Sequence, residues 1–419
     1  MPTRFTYALL LCSVGIGCHR VQPTTSSTPE PVLYLDYEGA AEAEAHYRVP
    51  GERRPFELAL RYVRDGRVER VELTMGGSTE ISWVSGDVVV SEVEGKATRH
   101  SGQEAGRKRH LVRALAGALG PGDATRRHYA HPTFGDVVDE VAYGPESEMA
   151  GTAAAEAIEI TQHETDLVWF ASLRRVSATA GTARSMPTAP VEAPAEVVVP
   201  HVEAVAEGVW SVASHASDTT SLVVEFEDFL VVAETSLTVA SGEAIVDALH
   251  DSFPDKPIRY VLFSHYHPHY TGGLRAFLAA GATVLAPPGN ARFAQGIAER
   301  PFTMEPDRWS RMPGPAKVEI FEERIVIEDA NNRLDAIDIG ADSDHTDEYV
   351  VFHLPKSGVL FQGDLGWYAL GDGGIRASGR APALLRAIEE RALSVDTLLQ
   401  GWPIQSAVSV DELSAAVVP

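Results

Sequence analysis

The sequence contains little cysteine and has far fewer basic than acidic residues. Its 419 residues include two cysteines, Cys12 and Cys18, and both lie close to the N-terminus. A disulfide-stabilised fold is therefore excluded for the rest of the chain. The chain has 35 Lys and Arg residues against 59 Asp and Glu residues, which gives a formal net charge of -24. Because binding of nucleic acid depends on basic residues that neutralise phosphates, this charge argues against a nucleic-acid partner.

Long hydrophobic runs are also scarce. The apolar stretch from Phe5 to Gly17 is too short to span a bilayer comfortably, and residues 1–17 are predicted to be a signal peptide. The stretch ends before Cys18 in a sequence that resembles a bacterial lipoprotein cleavage site. This implies export and a lipid anchor on Cys18, at the outer membrane or the periplasmic face. Since Gly15 stands where leucine is usual, a simple secretory signal and a periplasmic location remain the alternative.

Length and composition predict more than one folded domain, because 419 residues exceed the usual size of a single domain. Residues 18–31 are polar and contain proline, and they are predicted to form a flexible tether. Residues 173–200 are rich in Ala, Pro, Thr and Ser and are predicted to be a linker. The predicted domains are therefore residues 32–172 and residues 201–419.

The first of these domains is predicted to be antiparallel α+β. Residues Phe56 to Leu73 form two strand-like runs that meet at Asp65-Gly66, a strong hairpin signal, and Glu80 to Val93 repeat this pattern around a glycine. Helices are predicted from Glu104 to about Leu119 and from Glu146 to Ile158. The domain has no cluster of metal ligands and no phosphate-binding loop, so its sequence indicates no activity.

The second domain contains a histidine-rich stretch, SHYHPHYTGG, from Ser264 to Gly273. A predicted buried strand, Lys256 to Phe263, precedes it and a predicted helix follows it. The carboxyl ends of strands are where open α/β sheets usually bind ligands. His265 and His267 are two residues apart and can point to the same side of an extended backbone. The pattern is open to three interpretations: a metal site, a partly lost metal site, or a turn that is rich in histidine.

Further ligand types lie later in the chain. His345 lies in the polar segment GADSDHTDEY, and Asp364 follows the strand-like run GVLFQ. Imidazole and carboxylate are ligands of zinc and of other divalent metals. His353 alternates with apolar residues on a predicted strand and is expected to lie outside any metal site. The same expectation applies to three other histidines, His201, His215 and His250.

These segments resemble the metallo-β-lactamase superfamily from roughly Val205 to the C-terminus. That family has the pattern H-x-H-x-D-H after a strand, then a histidine in an "HT" loop, then "GD". His265, His267 and His345 match its first three ligands, and Asp364 matches the aspartate that bridges two metals. The resemblance implies an αββα sandwich. The whole chain is therefore predicted to be α+β, with this sandwich preceded by the smaller antiparallel domain.

Three positions depart from the family pattern. His269 and Tyr270 stand where the family has Asp and His, and Trp402 stands at the late histidine. The first metal site is thus complete, whereas the second keeps only Asp364 of its usual ligands. This favours one ion, zinc or another divalent metal, over two. His269 is a candidate general base or additional ligand, and Tyr270 is a candidate hydrogen-bond donor to a developing oxyanion.

Two functions follow from these residues. The first is a metal-dependent hydrolase, acting on an ester, lactone or amide of a small-molecule substrate, with His269 and Tyr270 as catalytic residues. The second is a non-catalytic, envelope-anchored binding protein that keeps the fold and one metal. The complete histidine set favours the first function, and the departures at His269, Tyr270 and Trp402 favour the second. The pattern indicates no organic cofactor.

Overall fold

The computed structural model describes most of the chain in a series of segments. These are residues 32–44, 53–65, 68–75, 78–100, 108–109, 112–113, 125–149, 152–163, 168–182, 184–189, 199–312, 314–371 and 374–417. The predicted signal peptide, 1–17, and tether, 18–31, lie outside these residues. Across the described segments, no helix has the length and apolarity needed to cross a membrane.

The N-terminal part is built on a ten-stranded sheet whose neighbouring strands are all antiparallel. The strand order is β6-β5-β4-β3-β2-β1-β12-β11-β8-β7, and β9 pairs with β10 in a separate hairpin. The strands are β1 (Val32–Glu44), β2 (Arg53–Asp65), β3 (Val68–Met75), β4 (Ser78–Ser85), β5 (Val88–Val93), β6 (Lys96–His100), β7 (Thr125–His131), β8 (Gly135–Tyr143), β9 (Glu146–Met149), β10 (Thr152–Ala155), β11 (Ala157–His163) and β12 (Val168–Gly181).

Both predicted hairpins are present in this sheet. Asp65 pairs with Val68 at the end of β2 and the start of β3, and Ser85 pairs with Val88 between β4 and β5. Side chains alternate along β8 between buried and partly buried positions, as expected of a sheet with one covered face. Trp83 of β4 is completely inaccessible to solvent.

Two predictions for this part need correction. The segment Glu146 to Ile158 is not a helix, because it forms β9, β10 and the start of β11. Ile158 and Ile160 are buried on either side of exposed Glu159, and this period of two favours a strand over a helix. The strand β12 continues through Gly181, so the start of the predicted linker, residues 173–181, belongs to the sheet. Of the helix predicted over 104–119, the described residues 108–109 and 112–113 are helical.

The C-terminal part contains a seven-stranded sheet and a five-stranded sheet. The seven-stranded sheet follows chain order: β13 (His201–Ala206), β14 (Val209–Ser214), β15 (Thr219–Glu225), β16 (Leu230–Ala233), β17 (Ile258–Leu262), β18 (Thr283–Ala286) and β19 (Val318–Ile320). The five-stranded sheet contains, in spatial order, β20 (Arg324–Glu328), β21 (Arg333–Asp338), β22 (Val350–Leu354), β23 (Val359–Gln362) and β26 (Thr397–Gln400). A separate hairpin consists of β24 (Tyr368–Gly371) and β25 (Gly374–Ala377).

Helices cover the outer faces of these two sheets. They are α1 (Val239–Ser252), α2 (Pro268–Thr271), α3 (Leu274–Ala279), α4 (Pro288–Glu299), α5 (Ala381–Glu390) and α6 (Val410–Ala416), with 3₁₀ turns at Trp309–Arg311 and Gly340–Ser343. The Thr238 side chain caps α1 by accepting a hydrogen bond from the Ser241 amide.

Three buried clusters show how the layers pack. Between the sheets, Leu222 and Val231 of the first sheet pack with Phe352 and Phe361 of the second. On the outer face of the seven-stranded sheet, α1, α3 and α4 contribute a second cluster. On the outer face of the five-stranded sheet, α5 and α6 contribute a third. The order of layers is helix, sheet, sheet, helix, which agrees with the predicted αββα sandwich.

The tip of the β7–β8 hairpin contacts the C-terminal part. The Asp136 carboxylate accepts hydrogen bonds from the Thr303 amide and hydroxyl and from the Met304 amide. Thr133 donates its hydroxyl to the Leu237 carbonyl at 2.8 Å. Gly135 has φ +80°, and an added Cβ would lie 2.2 Å from the Pro301 carbonyl oxygen. The hairpin therefore requires glycine at this close approach.

Candidate metal centre

The first two histidines follow a buried parallel strand. β17 ends at Leu262, and the chain then turns so that His265 is completely buried and His267 is 6% exposed. His267 precedes the short helix α2, whose first residue is Pro268, as is common at the start of a helix. The predicted order of strand, histidine loop and helix is therefore observed.

His345 is held in a tight polar turn between β21 and β22. The Ser343 hydroxyl accepts hydrogen bonds from the amides of His345 and Thr346, at 3.1 and 3.2 Å, and donates to the Thr346 carbonyl at 2.9 Å. Asp344 has φ 55°, in the left-handed region that Asp tolerates better than most residues. These contacts fix the backbone from which the His345 ring enters the site.

Asp364 follows β23 and is positioned by a buried tyrosine. The Tyr349 hydroxyl accepts hydrogen bonds from the amides of Asp364 and Leu365, both at 2.9 Å. At Gly363, an added Cβ would lie 2.4 Å from the Ser264 hydroxyl and 2.9 Å from the Tyr349 hydroxyl. Glycine at this position thus lets the two strand ends that carry the ligands approach each other closely.

These four side chains converge on one point. The ligand atoms of His265, His267, His345 and Asp364 all lie within 4.8 Å of one another. Nε2 of His265 is 2.8 Å from Nδ1 of His267. Oδ1 of Asp364 is 3.7 Å from Nε2 of His265 and 3.5 Å from Nε2 of His345. Residues that are distant in sequence therefore form one compact group that could hold a metal ion.

The chemistry of this group fits a divalent metal. Nε2 of His345 is buried and has no hydrogen-bond partner among the described residues, as expected of an atom reserved for a metal. Nδ1 of His265 lies 2.8 Å from the Ser264 hydroxyl. When that nitrogen carries the proton, the hydrogen bond leaves the Nε2 lone pair of His265 directed at the other three ligands. Three imidazole nitrogens and a carboxylate oxygen are a donor set that suits zinc.

The protonation states of the group also suit a metal. Burial, followed by the neighbouring His267, lowers the pKa of His265 well below its ordinary value of 6.5, so the ring is neutral at neutral pH. Burial alone would raise the pKa of Asp364. The facing His265, His345 and Arg380 groups outweigh burial and hold this pKa well below its ordinary value of 3.8. Neutral imidazole and ionised carboxylate are the forms that bind metal.

His269, predicted as a base or an additional ligand, does not join the group of four. Its ring packs against the Trp402 ring, with centroids 5.4 Å apart. Burial lowers the pKa of His269 below 6.5, while Asp364 and Asp218 act in the opposite direction. His269 therefore lies beside the centre as a neutral imidazole at neutral pH, which is the form a general base requires.

Tyr270 lies against the centre, and its side chain forms no hydrogen bond within the described part of the chain. Its ring centroid is 4.6 Å from that of His265, and its hydroxyl is buried without a partner among the described residues. Burial, and then the Asp364 charge, raise the pKa of Tyr270 well above 10.0, so the phenol keeps its proton. Trp402 lies nearby, with its ring 6.4 Å from that of Trp367. Aromatic rings therefore occupy two of the positions where the family pattern has histidine.

The four histidines that were predicted to lie outside the site do so. Nε2 of His353 is 2.9 Å from the Ser394 carbonyl oxygen, an acceptor, so this nitrogen carries the proton. His201, His215 and His250 are exposed. None of these residues belongs to the group of four ligands found among the described residues.

Two functional candidates were not predicted from the sequence. Nη2 of Arg380 lies 3.5 Å from Oδ2 of Asp364. Glu234 is completely buried, and burial raises its pKa well above 4.5. One of its oxygens accepts a hydrogen bond from the Ser264 amide at 3.1 Å, and the other has no partner among the described residues. The sequence signal that could have identified Glu234 is its position at the end of the apolar run FLVVAE. Arg380 belongs to no recognisable motif.

Comparisons with family models and with curated proteins give no match for this chain. Solved structures are similar over about half of it. A metallo-beta-lactamase from Pontibacter korlensis has 18% identity, covers 51% of this chain and 95% of its own, and gives a TM-score of 0.40. A metallo-beta-lactamase from Pseudomonas aeruginosa in a mono-zinc form is 20% identical. The match covers 52% of this chain and 93% of that protein, with a TM-score of 0.38. A sec-alkylsulfatase from Pseudomonas sp. is 18% identical. The match covers 52% of this chain and 41% of that protein, with a TM-score of 0.38.

These structures share the metallo-beta-lactamase fold, the one that the motifs indicate for the C-terminal part.

Proposed function

We propose that the C-terminal part is a metal-dependent hydrolase whose centre is formed by His265, His267, His345 and Asp364. The convergence of the four ligand atoms within 4.8 Å, with Nε2 of His345 buried and unpartnered, is the observation that carries the proposal. The ion is zinc or another divalent metal, and one ion is proposed rather than two. The substrate is proposed to be a small molecule with an ester, lactone or amide bond.

A divalent ion at this centre supplies a Lewis acid that makes water acidic enough to ionise near neutral pH. The protein residues have separate tasks around it. Ser264 holds the His265 ring through Nδ1, and the Tyr349 hydroxyl holds the backbone of Asp364. His269, neutral and partly exposed beside the centre, is placed to accept a proton. Tyr270 keeps its phenolic proton and is the candidate donor to a developing oxyanion.

A non-catalytic binding protein is the second candidate. The observation that favours it is the aromatic filling of the site: the Tyr270 ring packs against His265, and Trp402 packs against His269. Such packing is compatible with a site that retains one metal for structure and no longer performs hydrolysis. The two candidates share the metal centre and differ in whether His269 and Tyr270 act on a substrate.

Metal content tests the shared premise. Purified protein is expected to carry close to one equivalent of a transition metal by elemental analysis, and His265→Ala is expected to lose most of it. His201→Ala is the matched control, because His201 is exposed and lies outside the group of four. Protein that carries no metal after growth in zinc-replete medium would contradict the proposal. Turnover of model esters and lactones by the metal-loaded protein separates the hydrolase from the binding protein.

We also propose that the chain is exported and anchored in the cell envelope through lipid on Cys18. The anchor would be its only membrane contact, and the acidic composition disfavours a nucleic-acid partner. Cys18→Ser is expected to move the protein from the membrane fraction to the soluble periplasmic fraction. A Cys12→Ser variant that stays with the membrane is the matched control, and a Cys18→Ser variant that also stays there would argue against lipidation.

A further inference from the structure

The two oxygens of Asp364 face different partners. Oδ1 lies 3.5 Å from Nε2 of His345 and 3.7 Å from Nε2 of His265. Oδ2 lies 3.5 Å from Nη2 of Arg380. The carboxylate therefore connects the three-histidine group on one side to a guanidinium on the other. In the family pattern, an aspartate at this position connects two metal ions instead.

The remaining positions of the family's second site are unsuited to a metal. Tyr270 is completely buried as a protonated phenol, and the indole nitrogen of Trp402 can only donate a hydrogen bond. The His269 ring packs on Trp402 and is absent from the ligand group. Among these positions, only Asp364 offers a ligand atom for a second metal. That atom is Oδ2, and it faces the Arg380 guanidinium.

We propose that Arg380 takes the place of a second metal ion, so that its guanidinium neutralises the Oδ2 side of Asp364 and keeps the centre mononuclear. This inference rests on the metal centre of the proposed function. The side chain of Arg380 is 28% exposed, and that of Asp364 is 12% exposed, so solvent screens the pair only in part. A guanidinium stays charged throughout the physiological pH range, and the charge beside Asp364 does not depend on the supply of metal.

Electrostatic effects around the centre support this position for the Arg380 charge. The Arg380 guanidinium faces Oδ2 of Asp364, whereas Oδ1 of the same carboxylate faces His265 and His345. A second cation at this position would meet a fixed positive charge at short range, and this repulsion disfavours its binding.

The test restores the missing ligands with and without the guanidinium. The background variant carries His269→Asp, Tyr270→His and Trp402→His, and it is compared with versions that also carry Arg380→Gln or Arg380→Lys. Each protein is saturated with zinc, desalted and analysed for bound metal. We expect about one equivalent in the background variant and with Arg380→Lys, and about two with Arg380→Gln. Two equivalents with Arg380 intact, or one with Arg380→Gln, would overturn the role of Arg380.

A second measurement avoids the multiple substitutions, which remove the buried ring of Tyr270 and the partly buried ring of Trp402. In the otherwise native protein, Arg380→Gln is expected to tighten binding of the single zinc ion by on the order of tenfold, since a nearby positive charge is removed. Arg380→Lys should change the affinity little. Competition with a chromogenic chelator measures both. Unchanged or weaker binding in Arg380→Gln would overturn the inference, whereas native protein that binds no zinc would instead contradict the proposed function.

Discussion

The Nε2 atom of His265 and the Nδ1 atom of His267 lie 2.8 Å apart, and both rings are buried. When neither nitrogen carries a proton, two lone pairs face each other at this distance, and a cation between the rings converts that repulsion into attraction. A proton can take the place of that cation without an added charge. When it lies on Nδ1 of neutral His267 it is donated to Nε2 of His265, and burial, which lowers the pKa of His265 well below 6.5, favours this neutral pair. If the centre binds metal as proposed, the ion replaces this hydrogen bond, and the stability of the C-terminal part should then depend on the metal.

Removal of metal is accordingly expected to lower the melting temperature. Binding to the folded state alone stabilises a protein by about 2.7 kcal/mol when free ligand is at a hundred times its Kd, which corresponds to a shift of several degrees. Differential scanning fluorimetry with and without chelator measures the shift, and added zinc should reverse it. His265→Ala provides the control, since its melting temperature should not respond to chelator. An equal response in this variant would mean that the stabilising ion binds elsewhere.

Glu234 is expected to make stability depend on pH. Burial raises its pKa in the folded protein well above 4.5, so the folded state retains the proton more strongly than the unfolded state. The stability that this contributes is fully present below pH 4.5 and is lost as pH rises towards the folded pKa, by about 1.4 kcal/mol for each pH unit. Glu234→Gln should thus gain stability relative to the native protein between pH 4 and pH 8.

Urea denaturation in the presence of chelator measures this difference without a contribution from the ion. The side-chain amide of Gln keeps an oxygen that accepts the hydrogen bond from the Ser264 amide. Glu234→Ala loses that bond and should be less stable than Glu234→Gln at every pH. A difference between native protein and Glu234→Gln that stays constant across the pH range would show that Glu234 does not hold its proton.

The two buried tyrosines of the site are expected to respond differently to loss of their hydroxyl groups. The Tyr270 hydroxyl has no hydrogen-bond partner among the described residues, so Tyr270→Phe should leave stability within about 1 kcal/mol of the native value or increase it. The Tyr349 hydroxyl accepts bonds from two amides, and Tyr349→Phe should cost about 1–3 kcal/mol. Chemical denaturation compares the two. Equal losses would mean that Tyr270 has a bonding partner in solution.

Much of the site was predictable because it follows local rules. A run of β-branched residues ending in a histidine pair predicts a strand and a loop at its carboxyl end, and β17 with His265 has that form. Arg380 could not be found in this way. Arg380 is the residue before α5, whereas Asp364 follows β23. The two residues belong to no common sequence motif, so their contact cannot be predicted from spacing.

The N-terminal sheet shows the same limit of local pattern. Alanine and glutamate between Glu146 and Ile158 favour a helix by intrinsic propensity. Nevertheless β9 pairs with β10, and β11 pairs with β12 along its whole length and with β8 from Ile158 onward. Pairing on both sides and burial of Ile158 and Ile160 outweigh that propensity. In contrast, the hairpins at Asp65 and Ser85 depend on turn residues that act locally, and both were predicted.

The role of His269 can be separated from metal binding. Because this ring lies outside the four ligands, His269→Ala is expected to keep one equivalent of metal and the native melting temperature within a few degrees. If the protein is a hydrolase with His269 as general base, kcat should fall by about 10²–10⁴-fold in this variant. Elemental analysis and turnover of a panel of model esters and lactones, both on metal-loaded protein, give the two readouts.

The pH profile then identifies the lost group. Burial lowers the pKa of His269 below 6.5, and a base is active once deprotonated. Native kcat should therefore show a limb that rises with pH and is centred below 6.5, separate from the ionisation of metal-activated water near neutral pH. The limb should disappear in His269→Ala and remain in Trp402→Phe, which keeps an aromatic ring beside the imidazole. Loss of metal from His269→Ala would make this histidine a ligand. An unchanged rate with unchanged metal would exclude it from catalysis and favour the binding protein or a different base.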